Sequence, residues 1–214
     1  MSPILELRNL RCERDDRVLF EGLHCQIQSG EVVQILGPNG SGKTTLLRMI
    51  LGLTLGYSGD IVYRGQMINT DRLVFNQNLL YIGHQPAVNR SLTPLENLDW
   101  LAKLHGQLPD SNPLQALKAV GLRGFEDTPG FHLSAGQHRR VALARLFLTG
   151  AQIWILDEPF TAIDKAGIDT LRERLSAHVH AGGIVLITTH QDLGVDNVRV
   201  LHLGDFPPRH REVA

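Results

Sequence analysis

The stretch Gly37-Pro38-Asn39-Gly40-Ser41-Gly42-Lys43-Thr44 fits the pattern G-x-x-x-x-G-K-[ST], and its reading decides the fold. Glycines at such a turn let successive backbone N–H groups point inward, forming a concave nest for anionic oxygens. Lys43 adds a positive point charge, and Thr44 a hydroxyl suited to Mg²⁺. Ahead of the loop, the apolar, β-branched run Glu31 to Leu36 predicts a buried strand; after it, Thr45 to Leu51 predicts a helix. The loop then sits at a helix N-terminus, where unpaired N–H groups and the helix dipole both favour a phosphate. The alternative is an ordinary Gly-rich turn, but the strand-loop-helix context favours nucleotide binding.

Working outward, 214 residues of which 43% are hydrophobic can bury a sizeable core. No run approaches the roughly 18 to 20 apolar residues of a membrane span. Met1 to Arg17 is dense in Arg, Glu and Asp and does not resemble a secretory signal, so the chain is expected to stay in the cytoplasm. With 21 basic against 22 acidic residues there is no global field to attract nucleic acid, and no nucleic-acid partner is expected. Cys12 and Cys25 lack metal-ligand spacing, and Cys25 falls on the apolar side of an alternating strand, as a reduced core residue. His178 and His180 flank Val179 at an expected helix end, where complementing the dipole is favoured over holding a metal.

Short alternating segments from Ile4 to Ile35, punctuated by Gly22 and Ser29-Gly30, predict strands before the loop. Gly59 to Gln66 and Leu79 to Gly83 predict further strands. At Pro86 the character changes. Thr93-Pro94-Leu95-Glu96 and Asn112-Pro113-Leu114 are helix starts, and Gly121 is placed to end the second helix. A helical insertion therefore runs from about Pro86 to Phe131, its apolar stripes most simply core. Beyond Gly136 the chain reads as helix (Gln137 to Leu148), strand (Ile153 to Leu156), helix (about Lys165 to His180), strand (Gly183 to Thr188) and a last strand near Arg199 to Leu203. Strands alternating with helices imply an α/β fold with a mostly parallel sheet. The tail Pro207 to His210 is expected to be loose.

Three further groups carry chemistry. Asp157 and Glu158 end an apolar strand, placing two carboxylates at the sheet's edge: Asp157 to hold Mg²⁺ and Glu158 to orient an attacking water. Taken alone, they could be a surface acidic pair. Leu133-Ser134-Ala135-Gly136-Gln137 precedes a helix. Ser134 and Gln137 have capping-box spacing, which explains Ser134 structurally but leaves Gly136 free to offer an unshielded N–H to an anion. His190 follows an apolar strand, where it could polarise charge on a phosphate or merely satisfy a backbone group.

With the phosphate loop, Gln85, Leu-Ser-Ala-Gly-Gln, Leu-Asp-Glu-Pro and His190 in this order, the sequence resembles the ATP-binding cassette (ABC) ATPases over nearly its whole length. The resemblance implies a P-loop NTPase of ABC ATPase type, with an antiparallel β subdomain and a helical insertion. It further implies one domain over 1–214 whose helical subdomain spans about 86–136. The cofactors implied are ATP and Mg²⁺, with Thr44, Gln85 and Asp157 at the metal. The catalytic set is Glu158, His190, Gln85 and Lys43. One copy would bind nucleotide through Gly37, Pro38, Asn39, Gly40, Ser41, Gly42, Lys43, Thr44 and Thr45. Ser134, Gly136 and Gln137 of a second copy would close over it in a head-to-tail homodimer, with Asp164 at the dimer contact. Members usually stack an aromatic ring on adenine; the corresponding position holds Arg14, whose guanidinium plane can take that place.

Asn78 to Pro86, Leu92 to Leu98, Gly124 to Asp127 and Phe160 to Asp164 are similar to one group in particular, the ATPase subunits of the bacterial haem exporter of c-type cytochrome maturation. That implies integral-membrane transporter subunits as partners, a peripheral place on the cytoplasmic face of the inner membrane, and no direct binding of haem by this chain. A transport ATPase for another cargo, or a soluble ABC protein outside transport, is the alternative.

Overall fold

The computed structural model describes residues 3–54, 56–105 and 112–208. Of the expected loose tail, Arg209 and His210 lie outside them. In chain order the elements are β1 (Leu5–Arg14), β2 (Arg17–Ile27), β3 (Val32–Leu36), α1 (Lys43–Ile50), β4 (Tyr57–Tyr63), β5 (Gln66–Met67), α2 (Arg72–Gln77) and β6 (Leu79–Ile82). There follow α3 (Pro94–His105), α4 (Pro113–Ala119), α5 (Ala135–Ala144), β7 (Ile153–Asp157), α6 (Lys165–His180), β8 (Ile184–Thr188) and β9 (Val198–His202).

Two sheets result. One is antiparallel, in the order β2-β1-β4-β5; the other runs β6-β7-β8-β3-β9 with every neighbouring pair parallel. The antiparallel strands turn on residues that tolerate left-handed backbone. Asp15 and Asp16 (φ 51° and 57°) join β1 to β2, and Arg64-Gly65 (φ 48° and 81°) joins β4 to β5. The first of these turns sets Arg14 directly opposite Arg17.

The central parallel strands read as unbroken apolar runs because both of their faces are covered. Along β7, Ile153 and Ile155 join a core with α1 and the antiparallel sheet, around Phe20, Leu46 and Leu47. Trp154 and Leu156 face the other way, into a core with Leu117 of α4, Val141 of α5 and Leu175 of α6. The helix signals behave as their chemistry predicts. Thr93 and Glu96 exchange both capping-box hydrogen bonds, at 3.2 and 2.8 Å, and Asn112 caps α4. Helix α5 starts earlier than Gln137, because Ser134 is its cap, and tightens into a 3₁₀ turn over Arg145–Phe147. Helix α2 is absent from the sequence reading: of its residues only Phe75 is buried, so it carries no apolar stripe.

Cys12 and Cys25 are free and buried, and burial pushes both thiols up. His178 departs from its expected role. Its ring stacks on Trp154 (centroids 3.6 Å apart, planes within 6°), and burial lowers its pKa from 6.5 to about 4, so it brings no positive charge to the dipole at neutral pH. Between those two values the unfolded chain binds a proton that the folded chain does not, so stability falls as pH drops from 6.5 towards 4. After allowance for solvent screening the loss is roughly 1 to 3 kcal/mol. Urea unfolding at pH 7.5 and pH 4.5 measures it; His178→Phe, which keeps a stacking ring, should flatten that part of the pH dependence.

Candidate active site

Strand β3 delivers the chain into the phosphate loop, and two glycines there are sterically required. A Cβ on Gly37 would lie 2.5 Å from Ser41 Oγ; Gly42 has φ 101°, and its Cβ would press on Phe20 and Leu19 at 3.2 and 3.3 Å. Gly42 is the N-cap of α1, which therefore begins at Lys43 with its N–H groups turned into the loop. Lys43 Nζ donates to the carbonyls of Gly37 (2.7 Å) and Pro38 (3.2 Å). Ser41 Oγ is buried without a hydrogen-bond partner, a polar atom inside the cradle that fits an anionic ligand.

Across the sheet edge, Asp157 is 2% exposed and accepts from Thr44 Oγ1 at 3.0 Å and from Thr188 Oγ1 at 2.6 Å. Glu158 follows at φ 49°, a left-handed conformation unusual for a non-glycine residue. It is held there by its own N–H, which donates both to the carbonyl and to the hydroxyl of Thr188 (3.0 and 2.9 Å). Thr188 thus ties the two carboxylate residues together. A hydroxyl and a carboxylate in contact beside a phosphate loop are the donors an octahedral Mg²⁺ uses when phosphates and water complete its shell. Among the described residues no group of three or more His, Cys, Asp or Glu could hold a metal by itself.

Of the residues predicted from sequence, Arg14, Asn39, Gly40, Gly42, Lys43, Thr44, Thr45, Asp157 and Glu158 line one cavity of about 540 Å³. Asp15, Arg17 and Leu19 line it as well, and none of the three is predicted from sequence. The only signal for Arg17 was the tight turn that pairs it with Arg14. Gln85 does not reach this cavity. It is exposed on the segment after β6 and lines a second one, of about 410 Å³, with Leu133, Ala135 and His138. Nor do Ser134, Gly136, Gln137, Asp164 and His190 line the first cavity.

Ser134 and Gln137 form a full capping box. Gly136 has a structural reason the sequence did not suggest: a Cβ there would lie 2.9 Å from the carbonyl of Ala162. Asp164 caps α6 through the Gly167 N–H (2.9 Å), and that bond, with the Arg140 guanidinium 2.7 Å away, keeps its carboxyl below the usual range. His190 is exposed, just past β8, which brings it to the same sheet edge as Glu158. Gln34 of β3 braces the loop around it, its Nε2 donating to the carbonyls of Thr189 (3.0 Å) and Gln191 (3.3 Å). A lone Gln within the run Val32-Val33-Gln34-Ile35-Leu36 was the visible signal.

A parallel sheet carrying a phosphate loop, a buried Asp-Thr contact and a strained glutamate at one edge defines a nucleotide-hydrolysing protein, and the chain belongs to the ABC transporter family, whose model matches residues 20–161. It is an ATP-binding ATPase of that type. It is 52% identical over 201 residues to the cytochrome c biogenesis ATP-binding export protein CcmA of Escherichia coli (strain K12), covering 94% of this chain and 96% of that protein. Among solved structures, a putative ABC transporter ATP-binding protein from Pyrococcus furiosus matches with a TM-score of 0.79 at 29% identity, over 95% of this chain and 99% of that one. A dimeric ATP-binding cassette in a post-hydrolysis state, bound to ADP and Pi, matches with a TM-score of 0.77 at 25% identity, over 94% and 95%.

Proposed function

We propose that this chain is the ATP-hydrolysing subunit of a membrane ABC complex that powers haem export, or release of a haem-loaded chaperone, in c-type cytochrome biogenesis. The cavity that gathers the phosphate loop, Asp157 and Glu158 carries the ATPase half of this reading. Likeness to the E. coli export protein along nearly its whole length supports the pathway half.

In the mechanism, the loop N–H groups and Lys43 bind the phosphates, and Arg14, which lines the same cavity as Arg17, would stack its guanidinium plane on the base. Thr44 and Asp157 would hold Mg²⁺, with Gln85 joining them; when bound, the metal supplies neutralising charge on the phosphates. Glu158 accepts a hydrogen bond from a water and orients it in line with the terminal phosphate. The water oxygen bonds to phosphorus, the bond to the ADP oxygen breaks, and His190 stabilises the charge that develops. Ser134, Gly136 and Gln137 of a second copy close the site, with Asp164 at the contact between copies. This accounts for their place outside the cavity of their own chain.

Among the described residues no helix is long and apolar enough to cross a membrane. The likeness to the E. coli export protein supports peripheral attachment, through integral-membrane subunits on the cytoplasmic face, with Gln85 passing closure on to them. Affinity purification from detergent-solubilised membranes tests this: integral-membrane transporter subunits should accompany the chain, and a ribosomal partner in their place would sink the transport reading.

A further inference from the structure

Arg139 lies on α5 and is 3% exposed, yet it forms no ion pair among the described residues. Its guanidinium is spent on backbone carbonyls from two strand ends. Nη1 donates to Gly83 (2.5 Å) and His84 (3.5 Å), past β6; Nη2 donates to Asp157 (2.9 Å) and Glu158 (2.7 Å), and Nε to Pro159 (3.4 Å), past β7. A buried cation is costly unless its donors are satisfied, and only the planar, five-donor fork of arginine can address both strand ends at once. Burial lowers its pKa, and the nearby carboxylates of Asp157 and Glu158 oppose that shift.

The two strand ends are where the chemistry leaves the sheet. Gly83 and His84 lead directly into Gln85, and the carbonyl of Glu158 belongs to the residue whose backbone turns left-handed. The same helix begins at the Ser134 cap, and its next residue, Arg140, pairs with Asp164 and donates to the Val120 carbonyl at 2.6 Å.

We propose that Arg139 is a positioning residue for hydrolysis: it fixes the peptide that follows Glu158 and the entry to Gln85 onto helix α5, so that the carboxylate keeps its aim only while that helix is seated. The inference rests on the assignment of Glu158 as the residue that orients water. Arg139 acts through that backbone and touches no substrate.

Steady-state ATP hydrolysis and urea unfolding of the full chain test it, with Arg139→Lys and Arg139→Gln compared against Leu143→Ala. Leu143 is a buried residue of the same helix with no part in the site. Lysine keeps the charge but cannot span both strand ends, so kcat should fall about 10- to 100-fold while KM for ATP stays within about threefold. Arg139→Gln should fall at least as far. Leu143→Ala, at a similar loss of stability, should keep kcat within about threefold. Wild-type kcat in Arg139→Lys, or an equal loss in Leu143→Ala, overturns the proposal. A loss of turnover in Glu158→Gln with none in Arg139→Lys removes this inference alone, whereas undiminished turnover in Glu158→Gln removes both it and the mechanism it rests on.

Discussion

Glu158→Gln lowers ATP turnover by about 10²- to 10⁴-fold while leaving nucleotide affinity nearly unchanged. Gln matches Glu in shape, so the left-handed turn and the two hydrogen bonds from its N–H to Thr188 should survive. What is lost is the negative oxygen proposed to orient water. A protein that binds ATP but cannot cleave it should gather as closed dimers, because on the proposed assignments nucleotide would hold two copies together for as long as it lasts. Steady-state phosphate release, equilibrium binding of a fluorescent ATP analogue and size-exclusion chromatography in Mg-ATP read the three consequences. Undiminished phosphate release in this variant would remove Glu158 from the mechanism.

Trp154→Ala destabilises the fold by about 3 to 5 kcal/mol, the range for deleting a large buried aromatic side chain. Trp154 is fully buried in β7, stacked on His178, with the Arg174 guanidinium 5.2 Å from its ring. The strand it anchors ends in Asp157, so the loss is also felt at the site. Its Nε1 is buried without a hydrogen-bond partner, so Trp154→Phe removes an unsatisfied donor along with some contact area and should cost clearly less than alanine. Urea unfolding of both variants separates them. A loss below about 1 kcal/mol in the alanine variant would mean that the stack contributes little.

Much of the fold was legible because its signals are local or periodic. The phosphate loop is contiguous, and Ile153 to Leu156 and Ile184 to Ile187 are apolar without alternation, as strands covered on both faces must be. The caps at Thr93, Asn112 and Ser134 are short-range patterns, and each closes the hydrogen bonds it predicts. What stayed hidden depends on residues distant in sequence. Nothing local in the sequence marks Arg139, whose role rests on the ends of β6 and β7 packing against it. His178 reads as a cation at a helix end until Trp154 buries it. The steric need for glycine at 136 is invisible until the carbonyl of Ala162 is packed where a Cβ would stand. Helix α2 has too little buried surface to leave a period at all.

The bracing of the His190 loop by Gln34 has a mechanical corollary. Strand β3 ends in the phosphate loop and, through one side-chain amide, also grips the backbone on both sides of His190. Strand β8 is laddered to β3 over four residue pairs, from Val32↔Val185 to Ile35↔Thr188. The phosphate loop and the His190 loop are thus mounted on one rigid frame, like the jaws of a fixed gauge. Their separation is set when the sheet folds, so on the proposed assignments this half of the site measures a terminal phosphate without clamping on it. On the same assignments, the moving jaw would be Ser134 and Gly136 of another copy of the chain.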